Sequence, residues 1–299
     1  MTSGSVERIR LETADGTQAE VVPALGGIVS SLQFATKPGL REVLFQHDHF
    51  WDAGNPATRG GIPMLFPACG RVRLDGASRY RVQECTYALP IHGFAMRRPW
   101  TVDGVTGDSV DLSFRTDADT RATFPFEFSL RMRCRVQPGV LEVGVEIQHE
   151  GDVAMPFSAG WHPYFLTPDA PVKDAMQIDL PATASGRYDE SFTQIPGWDA
   201  PLGFPLRPDH PRFRDTLHRA GPGPARVLWP DGYLVELEAT AGDGPMPYWQ
   251  LHTEPDRPYV CVEPWSSPPN ALNSGQDLQW LKPGGAWAMS LSIRCGSNR

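Results

Sequence analysis

Phe126-Glu-Phe-Ser-Leu-Arg-Met-Arg-Cys-Arg-Val136 passes through Gln137-Pro138-Gly139 into Leu141-Glu-Val-Gly-Val-Glu-Ile-Gln148. In the first run Phe126, Phe128, Leu130, Met132, Cys134 and Val136 alternate strictly with polar residues. In the second, Leu141, Val143, Val145 and Ile147 alternate with Glu142, Gly144, Glu146 and Gln148. A period of two puts every apolar side chain on one face of a strand, and the Pro-Gly pair supplies the turn. The stretch predicts an antiparallel hairpin with one face buried and the other in water.

The same alternation recurs at 110–114, 233–238 and 288–294, with shorter apolar runs at 19–22 and 259–262. Asp231-Gly232 marks a second tight turn ahead of the strand at Tyr233. No long stretch free of Pro and Gly carries a period near 3.6. The 29 glycines and 30 prolines make up about a fifth of the 299 residues and are spread along the chain, as many short elements joined by turns require. These signals predict an all-β fold, a large antiparallel β-sandwich, formed as one domain over 1–299. Segments 168–211 and 241–247, rich in Pro, Gly and Asp, read as long connections on that domain.

Composition narrows the partners. The formal net charge is -8, which argues against a nucleic-acid backbone, since such binding needs a basic face. Five scattered cysteines, Cys69, Cys85, Cys134, Cys261 and Cys295, lack C-x-x-C spacing, so neither a disulfide framework nor a cysteine zinc site is expected. Cys69 and Cys261 read as small buried apolar residues. Residues 1–16 are polar, without the apolar stretch of a signal peptide, and no run is long enough to span a bilayer. A cytoplasmic protein with no membrane contact is the expectation.

Four clusters set polar groups among Gly, Pro and aromatics: 59–71, 92–100, 160–165 and 261–265. Glu263 ends an apolar run beside Pro264 and Trp265. It reads either as a partly desolvated base or as a strand-end carboxylate paired with an arginine. His162, between Trp161 and Pro163, reads as a general acid or as a core histidine bonded to a carbonyl. His92 shares that ambiguity, and Gly93 beside it allows close approach of a ligand to the backbone. Arg59 and Arg71 bracket an apolar loop and are suited to gripping hydroxyls or a phosphate, or to surface ion pairs. His47-Asp48-His49 would put two imidazoles on one strand face, but no further ligand is apparent, so no metal is expected. Core packing accounts for most of Phe66, Phe94, Trp100, Trp161, Tyr164, Phe165, Trp249 and Trp265, leaving one or two for stacking on a ligand.

In their joint order the blocks "RGGIPMLFPACGRV", "LPIHGFAMRRPW", "SAGWHPYF" and "CVEPWSSPPNALN" resemble the aldose 1-epimerase (galactose mutarotase) family, including its branch of glucose-6-phosphate 1-epimerase-like proteins. The resemblance implies a cofactor-free enzyme that interconverts the α and β anomers of a sugar on a large β-sandwich. It assigns the base to Glu263, the acid to His162, a second pocket histidine to His92, and the hydroxyl-holding arginine to Arg71. An orienting carboxylate falls on Asp215. The acid and base are expected on opposite sides of the sugar ring. In the phosphate-binding branch, arginines of the first two blocks cradle the phosphate. Arg59 matches the first, while the second, Arg97, falls one place late because Met96 intervenes. The expected partner is therefore a free aldohexose, with a sugar phosphate as the alternative. A non-catalytic sugar sensor on the same scaffold is a second class of reading. Glycoside hydrolysis would need a facing pair of carboxylates, and the blocks supply one.

Overall fold

The computed structural model describes residues 6–51, 60–169 and 172–296. The hairpin forms as strands Phe128–Gln137 and Val140–His149, with Gly139 at a positive φ in the turn. Met132 faces Val145 across the pair. Leu130, Met132, Cys134, Val143 and Val145 are buried while Arg131, Arg133, Arg135 and Glu146 face water, as the alternation requires.

That hairpin is the middle of a nine-stranded antiparallel sheet. On one side lie Ser109–Arg115 and Thr101–Val105; on the other, Ala286–Gly296, Leu234–Ala241, Ala225–Leu228 and Gln177–Asp179. Gly244–Pro245 adds to the end of Leu234–Ala241. A seven-stranded antiparallel sheet runs Ala182–Arg187, Thr216–Ala220, Tyr248–His252, Tyr259–Trp265, Gly160–Trp161 and Met64–Leu65, with Tyr164–Leu166 also paired to Tyr259–Trp265. A four-stranded sheet spans Ile9–Glu12 to Gly39–Glu42, and the two α-helices, Ala118–Thr123 and Ala271–Ser274, are short. No helix among the described residues is long and apolar enough to cross a membrane.

One hydrophobic core joins the inner faces of the sheets: Leu130, Met132, Val143 and Val145 from the nine-stranded sheet, and Trp161, Leu251, Val260 and Val262 from the seven-stranded one. Burying that apolar area supplies the main drive to stack them as a sandwich.

Two readings need correction. Segment 168–211 is not a bare connection: it contributes the short turn Val172–Ala175 and the strands Gln177–Asp179 and Ala182–Arg187. Both strands sit at sheet edges, and Ala-Thr-Ala-Ser-Gly-Arg has no apolar alternation to announce itself. His47-Asp48-His49 is a turn, in which the His49 backbone N–H donates to His47 Nδ1 at 3.1 Å.

Candidate active site

The strand Tyr259–Trp265 is buried along its whole length, and successive side chains leave it on opposite faces. Val260 and Val262 join the sandwich core, while Tyr259, Glu263 and Trp265 line a cleft of about 490 Å³ on the other face. The next strand repeats the division: Trp249 and Leu251 go to the core, Gln250 and His252 to the cleft. The seven-stranded sheet is thus covered by apolar packing on one side and opens a polar cleft on the other.

Register puts the two central groups together. Gly160 faces Trp265 and Tyr164 faces Cys261, so His162, midway between, falls opposite Glu263. On the far side Gln250 pairs directly with Glu263. Gln250, Glu263 and His162 form one row, with His162 in the two-residue break between Gly160–Trp161 and Tyr164–Leu166. His162 Nε2 lies 3.3 Å from Glu263 Oε2, with the residues 7% and 1% exposed respectively. The His162 ring also stacks on Tyr164, with centroids 4.5 Å apart. Burial drives the Glu263 carboxyl well above the usual carboxylate range, because an isolated anion is poorly solvated there.

His92 closes the row's open end. Its ring centroid is 5.1 Å from that of His162 and 5.8 Å from that of Trp265. The Gly70 backbone N–H donates to His92 Nδ1 at 3.1 Å, which leaves Nε2 to carry the ring proton. Burial, reinforced by Arg97, His252 and Arg71, lowers its pKa to about 3, so at neutral pH this imidazole is an uncharged donor. Gly93 serves a different purpose from ligand approach. With φ at 71°, an added Cβ would stand 2.2 Å from the Phe66 carbonyl oxygen, so glycine lets two site loops pack together.

Arg71 and Arg97 line the cleft with Arg214. The intervening Met96 does not turn Arg97 away. Ala95–Arg97 is a 3-10 turn, and the Arg97 guanidinium donates to the Ile91 and Gly93 carbonyls at 3.1 and 2.8 Å beside the cleft. Arg59 lies outside the described residues. Asp215 is not among the cleft residues: Arg187 Nε takes its carboxylate at 2.9 Å and the Thr216 hydroxyl donates to it at 3.1 Å. The polar side chains lining the cleft on that flank include Tyr188, Arg214 and Gln250, which the motif blocks did not reveal. The Tyr188 hydroxyl donates to Gln250 Oε1 at 2.5 Å, and Gln250 Nε2 donates to the Arg214 and Leu251 carbonyls. One signal for Gln250 was available, a lone amide inside Tyr-Trp-Gln-Leu-His. Tyr188 had none, because it follows an edge strand without pattern. Of the eight aromatics singled out, Tyr164 and Trp265 line the cleft; Phe66, Phe94, Trp100, Trp161, Phe165 and Trp249 belong to the core.

The aldose 1-epimerase family profile matches residues 7–294. The chain belongs to the aldose 1-epimerase family. Among relatives, YihR of Escherichia coli, an uncharacterized protein, is 27% identical over 276 residues, covering 82% of this chain and 83% of its own. The plasmid-borne LacX protein of Lactococcus lactis is 26% identical over 185 residues, 60% of this chain and 55% of that protein, so the chain spans about half of LacX. A solved Synechocystis protein superposes with a TM-score of 0.81 at 27% identity, covering 98% of this chain and 97% of that one. Galactose 1-epimerase from Lactobacillus acidophilus superposes at 0.74 with 16% identity over 99% and 98% of the chains, a likeness of fold alone. The all-β sandwich is the architecture of this aldose 1-epimerase family fold.

Proposed function

We propose that the protein is a mutarotase that interconverts the α and β anomers of a free aldohexose, with Glu263 as base and His162 as acid. The observation that carries this reading is the 3.3 Å pair on the cleft floor. The groups stand side by side, whereas the expectation from the proton transfers of ring opening is opposite sides of the ring. That arrangement suits the reaction, because the two oxygens that exchange protons share the anomeric carbon. Glu263 takes the anomeric hydroxyl proton while a protonated His162 gives one to the ring oxygen, and the bond from the anomeric carbon to that oxygen breaks. Rotation of the aldehyde and reversal of both transfers close the ring on the other face. A carboxyl held above its usual range is a strong base once ionised, and each positioned transfer contributes about 10²–10⁴-fold. His92, Arg71 and the Tyr188–Gln250 pair present donors and acceptors to the sugar hydroxyls.

A sugar phosphate is the second reading, favoured by Arg97 and Arg214 beside Arg71 in the cleft. Anomer exchange followed by NMR with glucose, galactose and glucose 6-phosphate separates the two. Faster exchange of the free sugars, lost in Glu263→Gln, is the expected result. Acceleration of the phosphate alone would transfer the assignment to the second reading, and saturable binding without exchange would make the protein a sensor.

A further inference from the structure

Beneath the proposed acid and base lies a thiol that their proton transfers do not use. Cys261 precedes Glu263 by two positions on the same strand and therefore leaves it on the same face. A His162 ring nitrogen, Cys261 Sγ and a Glu263 carboxylate oxygen all lie within 4.8 Å of one another, and all three residues are buried. Glu263 Oε2 accepts no hydrogen bond of good geometry among the described residues. The sulfur and the oxygen come from one strand and the nitrogen from the break between Gly160–Trp161 and Tyr164–Leu166 that faces it, and both His162 and Glu263 also line the cleft.

This donor set has a definite chemical preference. Magnesium and calcium seek oxygen ligands, whereas a thiolate with an imidazole selects zinc and other softer ions. Zinc sits about 2.0–2.3 Å from each ligand in a tetrahedron; the Nε2-to-Oε2 edge of 3.3 Å already suits it, and the sulfur, within 4.8 Å of both, would move inward to complete the site. Water or a sugar oxygen would complete the shell from the cleft.

We propose that His162, Cys261 and Glu263 form a binding site for a soft divalent cation, zinc foremost, and that its occupancy inhibits the enzyme by withdrawing both the acid and the base. The inhibitory half rests on the mutarotase reading; the binding half does not. Local spacing gave no hint of the site, because His162 and Cys261 are 99 residues apart and meet only through strand register.

Cobalt(II) is the probe, because a thiolate bound to it gives a charge-transfer band in the near ultraviolet. The titration uses the full chain carrying Cys85→Ser and Cys295→Ser, which removes the exposed thiol and the half-buried one. One equivalent of cobalt should raise the band, zinc should abolish it, and Cys261→Ala should eliminate it. His162→Asn should weaken binding by about 100-fold or more, since even outer-shell changes cost 10–100-fold. His162→Asn keeps the test decisive should Cys261→Ala fail to fold, which circular dichroism reports. Zinc should also stop anomer exchange, with potency falling in parallel in Cys261→Ala. No band, or a band that survives in Cys261→Ala, overturns the site. Equal zinc inhibition with and without Cys261 overturns it as well. The spectrum needs no turnover: a cobalt band in a protein that exchanges no anomers leaves the site standing and sinks only the mutarotase reading.

Discussion

The hairpin Phe128–His149 and the strand Tyr259–Trp265 are both antiparallel, both rich in apolar residues and both packed on the same core, yet they read differently. Along the hairpin most of the positions between the buried apolar residues meet water, so its sequence alternates. Along Tyr259–Trp265 nothing meets water freely, and the burial pattern is continuous. The second face of the hairpin is solvated; the second face of that strand is the cleft. A charge in the first setting costs little and does little. In the second it is desolvated, its proton affinity changes, and it gains chemistry.

The largest effect expected from this contrast is on turnover. Glu263→Gln should lower anomer exchange by about 10²–10⁴-fold or more with thermal stability maintained, since the amide is isosteric and no longer burdened by ionisation. A variant that exchanges anomers normally would break the comparison at its centre. Leu130→Ala, in the hairpin's buried row, should do the reverse: a loss of about 2–5 kcal/mol in urea unfolding, with activity per folded molecule unchanged.

His218 sharpens the contrast through pH. It is buried in the seven-stranded sheet, hydrogen-bonded to Ser185, and burial followed by Arg212 lowers its pKa to about 3. The unfolded chain takes up a proton near the ordinary value of about 6.5, whereas the folded chain does so only near 3. Its contribution to stability is complete above the higher value and is lost progressively as pH falls toward the lower one. His218→Gln should therefore unfold in urea with a shallower decline between pH 7 and pH 4; an unchanged decline would locate the acid sensitivity elsewhere. The smallest effect belongs to the hairpin's wet face. Arg131 and Glu146 are exposed and 3.7 Å apart, and Arg131→Ala should change stability by about 0–1 kcal/mol.

The same physics decides what the sequence made legible. Alternation disclosed the hairpin and its neighbours in the nine-stranded sheet because water marks most of the positions between the buried ones. Glu263 and His162 stood out as polar groups inside apolar, aromatic surroundings, and register brings them together. Gln177–Asp179 and Ala182–Arg187 escaped because edge strands bury too little to need a pattern. Tyr188 escaped with them, since its place in the cleft depends on the strand before it. Asp215 is the opposite case: a carboxylate placed by the resemblance, which the structure pairs with Arg187 and not among the cleft-lining residues.

The row of Gln250, Glu263 and His162 has a consequence for how this gene can change. A one-residue insertion at the hairpin tip around Gly139 alters only a turn. The same insertion between Val260 and Glu263 would shift the strand by one place, send the carboxylate into the hydrocarbon core and turn a valine toward the cleft. These few codons therefore carry a second reading frame, one kept by the pleat of a sheet instead of by the ribosome.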